Sequence, residues 1–536
     1  MQYRFIWIFF LLIILFGVKS QAVEPPKLIV FVVIDELDNN QLNFLQSEFS
    51  ESGFNGIAKK GHRYMSLVSN DFSGYPGTRI TSLFTGTTPS RHGVIGERWM
   101  VDYQKNEFNV APSVDSVSLH KAIFYSQSRS LADYLKSYYG HKSLSVGFSL
   151  NAPWMIHSLG YSPHHFFTFD LSKGIFFDAL QSDTIAHNWL DKFNNSIPHN
   201  ALLKNQWGPV KDIANYIEYK NQRDTTGKFR TFFYTMKGKE DSRYSNVAAS
   251  PTGNTLLRDV VVSYLANSEL GRDEIPDLLT ICFTTKPFVE TPSVWLPAEK
   301  EDMLLRLDQN LASLIEFLDH EYGSENYLMA VTAASSLSEE KQIAGKQSLN
   351  SGLVDQKKIG ALLNLYLMAL HGQGKWVLGV YDHQIFLNRQ LINENSLSLK
   401  EVQEKSALFV MEMSGIARVI PTFEMMLIPP TVEPFKSNFF PMRTGDLFYT
   451  LKPGWEAKQT DTYGVQSSVS GGNLVPFIMK GWGVSIGVTV GKENSNNIIP
   501  NLLQQMNISI SEFVRKWDEI SSHPDETTVG SALKPD

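Results

Sequence analysis

The sequence predicts an α/β fold with a mostly parallel central sheet. The first observation is the segment KLIVFVVIDEL, in which seven of the eight residues from Lys27 to Ile34 are apolar. Such a continuous run is typical of a strand that is buried on both faces of a parallel sheet. The second observation is the order of three later segments: an apolar run at Pro276–Phe283, a helical apolar pattern at Glu301–Leu318 and an apolar run at Tyr327–Thr332. A strand, a helix and a strand in this order indicate a right-handed crossover between parallel strands.

Asp35 stands where the first predicted strand ends. In open α/β sheets, ligands bind at the carboxyl ends of the strands. An acidic side chain at that place is either a metal ligand or the N-cap of the next helix. The pattern alone leaves both interpretations open.

Residues 1–22 have the features of a signal peptide. Arg4 supplies a positive charge, Phe5–Val18 is an apolar run of 14 residues, and Ser20-Gln21-Ala22 is a small-x-small cleavage site. The run is shorter than the roughly 20 residues that span a bilayer. We therefore expect an exported protein, periplasmic or secreted, with no transmembrane span beyond the leader. A leader that is retained as an N-terminal anchor is the alternative.

The composition is that of a globular protein, with 43% hydrophobic and 19% charged residues among 536. Removal of the leader takes away Arg4 and Lys19 and no acidic residue, so the formal charge changes from −7 to −9. No basic cluster stands out from this acidic background, and we expect no nucleic-acid partner. Cys282 is the single cysteine, which excludes an intramolecular disulfide. It lies in the apolar run LLTICF, and we expect it to be buried.

Two segments interrupt the alternation of strands and helices. The first, at about residues 155–250, is rich in aromatic residues, and we expect an insertion that packs its own small core. His164 and His165 are neighbours in it, and alternation along a strand would point them to opposite faces, which favours structural roles over a shared metal ion. The second insertion, at about residues 338–440, contains the helical pattern Ile359–Leu370 and a strand at Lys375–Tyr381.

The remaining chain is predicted to return to the sheet. We assign the apolar runs Leu447–Leu451 and Pro476–Met479 to central strands, and Ile499–Trp517 to a closing helix. Residues 521–536 are polar with two prolines, which predicts a disordered tail. The sequence thus predicts one α/β domain over residues 23–520.

Several of these segments also occur, in this order and spacing, in a known family. They are spread over nearly the whole mature chain and include PKLIVFVVIDEL, GFNGIAKKG, FTGTTPSRHGVIG, SPTGNTLLRD, EDMLLRLDQNLASLIEFLD, FFPMRTGDLFYTLKPGW and VPFIMKGWG. With them the chain resembles the alkaline phosphatase superfamily, in the branch of threonine-nucleophile alkaline phosphatases and nucleotide pyrophosphatase/phosphodiesterases. The resemblance implies a three-layer αβα sandwich with inserted cap segments. It also implies phosphoryl transfer at two zinc ions, which six Asp and His side chains hold.

The resemblance places the first zinc ligand at Asp35, which is present. It places the nucleophile just before a Pro-Gly pair that opens a helix. Depending on the alignment, Gly74 or Pro76 stands at that position, and neither carries a hydroxyl group. Ser73 and Thr78 are hydroxyl residues nearby.

The other five zinc-ligand positions carry side chains that do not replace Asp or His. They are Pro287, Thr291, Ala334, Ser335 and Tyr463.

The substrate-binding groups that the resemblance implies are also replaced. Leu150-Asn151-Ala152 stands where the family has Lys-Asp-Arg, and Glu97 or Arg98 stands where it has Asn. The loss of Lys and Arg removes positive charge that would hold a phosphate group.

These replacements predict a pseudophosphatase, a catalytically inactive exported protein with a binding or scaffolding role. We expect no cofactor, and a partner in the envelope or outside the cell whose identity is unknown. The expected remnant of the catalytic pocket comprises Asp35, Ser73, Gly74, Thr78, Pro287, Thr291, Ala334, Ser335 and Tyr463.

The alternative is a phosphate mono- or diester hydrolase with a rearranged site, with zinc as its cofactor. Asp35 would act with Thr78 or Ser73, and Arg79, Arg91 or His92 would assist. Asp35, Ser73 and His92 could also form a nucleophilic triad. However, the sequence around Ser73 lacks the G-x-S-x-G pattern of a nucleophile elbow.

Overall fold

A computed structural model describes most of the chain. The described residues are 24–69, 71, 75–103, 107–180, 188–220, 231–289, 296–335, 352–427, 434–453, 455–461, 464–468 and 474–510. Predictions that concern the leader, Ser73, Gly74, Thr291, Tyr463, the end of the closing helix and the tail lie outside them.

Twenty strands are described. In chain order, β1 to β20 are Leu28–Glu36, Gly61–Val68, Arg98–Asp102, Glu107–Val110, Ser145–Ser149, His165–Phe169, Phe176–Asp178, Gln206–Trp207, Tyr234–Thr235, Asp277–Phe283, Tyr327–Ser335, Gly352–Asp355, Val377–Tyr381, Gln384–Leu387, Ile416–Pro421, Leu447–Leu451, Trp455–Asp461, Gly464–Ser468, Leu474–Gly481 and Gly487–Asn494.

Seventeen α-helices are described. In chain order, α1 to α17 are Asn39–Leu45, Phe54–Lys59, Pro76–Thr85, Pro89–His92, Ser116–Ile123, Leu131–Tyr138, Asn188–Ser196, His199–Lys204, Ile217–Lys220, Ser245–Ala248, Pro251–Asn267, Ala298–Glu321, Gln356–His371, Arg389–Glu394, Leu399–Met411, Thr422–Leu427 and Ile498–Gln505.

The central sheet has nine strands in the order β20-β2-β19-β11-β1-β10-β5-β6-β7. The strands β11, β1, β10, β5 and β6 are parallel to their neighbours in this series. β19 runs antiparallel to both β11 and β2, and β7 runs antiparallel to β6. The prediction of an α/β fold with a mostly parallel central sheet is therefore confirmed.

The first strand lies at the middle of this sheet. Its residues from Leu28 to Ile34 are at most 1% exposed, as a strand covered on both faces requires. The Phe31 ring packs on Phe84 of α3, with 4.7 Å between the ring centroids. On the neighbouring strand β10, Cys282 is 4% exposed, which confirms its predicted burial.

The strand register brings three carboxyl ends together. Ile34 of β1 pairs with Phe283 of β10 on one side and with Ala333 of β11 on the other. Glu36 pairs with Ser335. Asp35 and Ala334 therefore occupy adjacent positions at the edge where ligands bind in folds of this type.

The aromatic segment after β5 does not pack a core of its own. Its strands β6 and β7 extend the central sheet, and Phe166 and Phe167 belong to the main hydrophobic core. Consecutive phenylalanines fit a strand with both faces covered, which explains the aromatic run. His164 Nδ1 accepts a hydrogen bond from the Ser145 N–H at 3.1 Å, and His165 Nδ1 lies 2.8 Å from Asp178. The predicted structural roles of both histidines are confirmed.

The second insertion has its own hydrophobic core and a four-stranded sheet in the order β13-β14-β16-β15. Leu447–Leu451 is β16 of this sheet, so its assignment to the central sheet was wrong. The apolar pattern showed correctly that the strand is buried, but its partners are set by contacts distant in the sequence. The run at Pro476–Met479 does lie in the central sheet, within β19.

We also searched the helices for membrane-spanning candidates. Within the ranges given above, no helix combines the length and the apolar character that crossing a bilayer requires.

Candidate functional site

Asp35 lies in the last turn of the first strand before it reaches the helical layer, and its side chain is half-buried. Burial raises the pKa of its carboxyl group to about 6. The nearby charges of Lys286 and Lys300 lower this pKa, and the charge of Glu36 raises it. The positive charges that act on Asp35 thus come from lysine side chains of the same protein.

Asp35 does not cap the following helix. The N-cap of α1 is Asp38, whose Oδ1 accepts hydrogen bonds from the N–H groups of Asn40 at 2.7 Å and Gln41 at 3.3 Å. The strand continues to Glu36 and the helix begins at Asn39, which leaves Asp35 too early in the chain to cap it. The helix-cap interpretation of Asp35 was therefore wrong.

Lys300 lies beside the end of β1. Its Nζ is 2.7 Å from Oε2 of Glu36, and its side chain is only 4% exposed. Thr285, just after β10, donates a hydrogen bond to the backbone carbonyl of Glu36. The end of the first strand is thus tied to β10 and to the first turn of α12 by groups of the protein itself.

The predicted remnant pocket is only partly brought together. The register places Ala334 and the backbone of Ser335 next to Asp35 and Glu36 at the sheet edge. The Ala334 side chain is a methyl group and is 1% exposed. Pro287 lies on the loop after β10, and Thr78 is fully buried in α3.

The described donors do not fit a two-zinc site. A catalytic zinc ion usually takes three protein ligands from Asp, Glu, His or Cys. Across the part of the chain that the structure describes, no three such side chains are grouped so as to hold a metal ion. Around Asp35 stand a methyl group at Ala334 and a buried ammonium group at Lys300, and neither donates electrons to a metal.

His92 is committed to internal hydrogen bonds. Its Nδ1 accepts a hydrogen bond from the Val94 N–H at 3.1 Å, so the neutral ring carries its proton on Nε2. Nε2 lies 2.9 Å from the Ser82 hydroxyl oxygen, to which it donates. Burial lowers the pKa of His92 well below the usual value, and the charges of His157 and Arg443 lower it further. This histidine has the contacts of a structural residue.

The two arginines that could assist a rearranged site have other surroundings. Arg79 is buried in α3, and its Nε lies 3.3 Å from Oδ1 of the buried Asp71. Arg91 is exposed at the end of the short helix α4. Neither contact is of the kind that a phosphate-binding arginine needs, which is an open guanidinium edge in a pocket.

The sequence analysis missed Lys300, although its surroundings carry a signal. Glu299, Lys300, Glu301 and Asp302 are four consecutive charged residues in the first turn of α12, and all four are buried. Because successive helical residues are about 100° apart, four in a row cannot all face solvent on a helix that packs against a sheet. Such a run indicates that part of it has partners inside the protein.

Those partners come largely from the first insertion. Asp302 accepts hydrogen bonds from Trp207 Nε1, the Val210 N–H and the Tyr216 hydroxyl group, each at 2.7 Å, and from Arg306 Nε at 2.8 Å. Similar bonds join Glu301 to Lys211 and the Ile217 N–H, and Glu299 to the Tyr234 hydroxyl group. The insertion is therefore fixed onto the start of α12, directly beside Lys300.

His157 lies near this region and gives a prediction for acid stability. It is buried, and neither ring nitrogen has a hydrogen-bond partner among the described residues. Burial lowers the pKa of His157 to about 4. Because an unfolded histidine titrates near 6.5, the unfolded state binds the extra proton between these values, and acid favours unfolding.

We expect the free energy of unfolding to fall by about 3 kcal/mol through His157 alone as the pH is lowered from about 6.5 to 4. His157→Phe should remove this part of the pH dependence, whereas the exposed His120→Phe should retain it. Urea unfolding of the three proteins across this pH range is the measurement. Equal pH slopes for the His157 variant and the wild type would contradict the prediction.

Comparison with known proteins gives the following matches. The sequence model of the type I phosphodiesterase / nucleotide pyrophosphatase family matches residues 29–473. Alkaline phosphatase PafA of Elizabethkingia meningoseptica is 25% identical over 517 residues, which cover 91% of this chain and 93% of PafA. Alkaline phosphatase PhoV of Synechococcus elongatus is 21% identical over 529 residues, which cover 93% of this chain and 94% of PhoV.

The fold has a counterpart among solved structures. The crystal structure of wild-type PafA superposes with a TM-score of 0.77 at 22% sequence identity, and the match covers 91% of this chain and 97% of PafA. The two proteins share their α/β architecture over nearly their whole length.

Proposed function

The chain belongs to the type I phosphodiesterase / nucleotide pyrophosphatase family, and we propose that it is an exported member without phosphatase activity that binds or scaffolds a partner. The family and the fold are those of alkaline phosphatase-like hydrolases. The loss of activity is our inference from the residues around Asp35.

The observation that carries the proposal is the pairing of Lys300 with the end of the first strand. Its buried ammonium group lies 2.7 Å from Glu36 and lowers the pKa of Asp35. A fixed lysine supplies positive charge, but it has no empty orbital to polarise a phosphoryl oxygen or to activate a hydroxyl group, as a metal ion does. Charge compensation at Asp35 is thus achieved without the chemistry.

The neighbouring β11 position supports the same conclusion. Ala334 stands beside Asp35 in the register, where the resemblance implies a metal-binding side chain. Its methyl group is buried and leaves no donor at that place. Together with the replaced Lys and Arg at Leu150 and Ala152, this removes both the metal-holding and the phosphate-holding groups that are expected of the family.

The partner class follows from composition and the leader. The mature chain is acidic, which argues against nucleic acid, and the leader argues for a protein, glycan or other component of the envelope or the exterior. We propose that the protein functions there without a bound cofactor.

Zinc analysis and hydrolysis assays on the purified protein test the proposal. We expect far less than one zinc ion per chain, and hydrolysis of an aryl phosphate monoester and diester at least about 10⁴-fold slower than by PafA, the positive control. Circular dichroism would establish that the sample is folded. Zinc near two per chain, or turnover that is abolished by Asp35→Ala, would overturn the proposal and favour the hydrolase with a rearranged site.

A further inference from the structure

The helix α13 of the second insertion is apolar on both of its faces. Ile359, Leu363 and Leu367 are at most 2% exposed and pack in the core of the insertion. On the opposite face, Leu362 is 38% exposed and Leu365 is 60% exposed. A helix that is hydrophobic all round is normally buried on all sides, so this outer face calls for a covering partner.

The exposed face has a pattern that reads the same from both ends. Ala361, Leu362, Leu365, Met368 and Ala369 follow the spacing of a single helical stripe. Alanine occurs four residues before and four residues after Leu365, and a long apolar side chain occurs three residues before and three after it. Such a stripe is complementary to itself when two copies cross antiparallel at Leu365, with each leucine region facing the small alanines of the other.

The charges agree with an antiparallel arrangement. The exposed Lys357 and Lys358 lie in the first turn of α13, and the helix contains no acidic residue. The helix ends at His371 and Gly372, as far after Leu365 as the two lysines lie before it. In an antiparallel pair, the lysines of each copy therefore lie beside the C-terminal end of the other helix, which carries partial negative charge.

The neighbouring helix α15 widens this surface. Tyr366 of α13 stacks on Phe409 of α15, with 4.3 Å between the ring centroids and 10° between the ring planes. Beside this stack, Leu408 is 67% exposed and Met411 is 47% exposed. These side chains extend the apolar patch towards the ~800 Å² that each partner of a stable dimer buries.

We propose that this protein forms a homodimer through α13, with the two copies of the helix antiparallel and the twofold axis at Leu365. The inference concerns the second insertion and goes beyond the proposed function of the site at Asp35. Other occupants of the same face, such as a bilayer surface, are outcomes of the test below.

Disulfide trapping tests the axis. The chain has one cysteine, Cys282, which is 4% exposed, so an introduced surface cysteine reacts without competition. In the full-length protein, Leu365→Cys should form a disulfide-linked dimer on mild oxidation. A mixture of Ala361→Cys and Ala369→Cys should cross-link more than either variant alone. Ile486→Cys, which replaces a residue 72% exposed just before β20, is the matched control and should remain monomeric.

Sedimentation equilibrium tests the association itself. The wild type should be a dimer at micromolar concentration, and Leu365→Glu should weaken dimerisation at least about 30-fold, as for a central interface residue. Ile486→Glu should leave the dimer intact. A monomeric wild type, or equal cross-linking at positions 365 and 486, would overturn the proposal. Binding of neutral lipid vesicles by a monomeric wild type but not by Leu365→Glu would assign the face to a bilayer instead.

Discussion

Asp302→Ala is expected to lower the free energy of unfolding by about 3–5 kcal/mol, which is the range for breaking a buried charged network. Asp302 is fully buried and accepts four hydrogen bonds, three of them from the first insertion. Alanine would leave the Trp207 N–H, the Tyr216 hydroxyl group and the Val210 N–H without this acceptor. Urea unfolding gives the free energy, and limited proteolysis reports whether the segment from Gln206 to Lys220 detaches.

Two variants make this prediction specific. Glu316→Ala removes an exposed carboxylate from the same helix and should change the free energy of unfolding by less than about 0.5 kcal/mol. Asp302→Asn keeps one acceptor oxygen and should fall between the alanine variant and the wild type. A loss below about 1 kcal/mol for Asp302→Ala would show that the insertion is held mainly by its apolar contacts.

Lys300→Met is expected to lower the free energy of unfolding by about 2 kcal/mol at pH 8, because it leaves the Glu36 carboxylate without its buried partner. The figure is below that of a fully buried pair because the Glu36 side chain is 28% exposed. Without the lysine, the pKa values of Glu36 and Asp35 rise in the folded state. The destabilisation is therefore largest at high pH and shrinks as the pH falls below about 6.

A double-mutant cycle isolates this ion pair. Lys300→Met with Glu36→Leu should be more stable than Lys300→Met alone, because the unpaired carboxylate is then absent. The exposed Lys121→Met is the control for loss of a positive charge and should have little effect. Full stability of Lys300→Met at pH 8 would contradict the role that we assign to Lys300 as the compensating charge at the end of the first strand.

The fold was largely predictable because buried strands have a strong local pattern. The apolar run from Leu28 to Ile34 indicated a central strand, and the structure places it between β10 and β11. Leu447–Leu451 carries the same kind of pattern, yet it belongs to the sheet of the second insertion. An apolar pattern reports burial, whereas the identity of the neighbouring strand depends on chain topology that no local pattern contains.

The site was predictable only where the family resemblance supplied positions. It placed Asp35 and Ala334, and the register brings these two residues side by side. It did not indicate Lys300, whose partner Glu36 is 264 residues away in the sequence. Nor did it indicate that Asp38, rather than Asp35, caps α1, because both aspartates precede the helix and only the backbone path distinguishes them.

The position of the first strand has a consequence for biogenesis. Its two neighbours in the sheet, β10 and β11, begin about 250 and 300 residues later in the chain. During synthesis and export, the ribosome and the translocation channel deliver this apolar strand long before its partners exist. Until more than half of the polypeptide has emerged, LIVFVVI has no native neighbour and is exposed to aggregation. A holding chaperone is therefore expected to engage this nascent chain near its mature amino terminus, and the native fold to form only after translation is nearly complete.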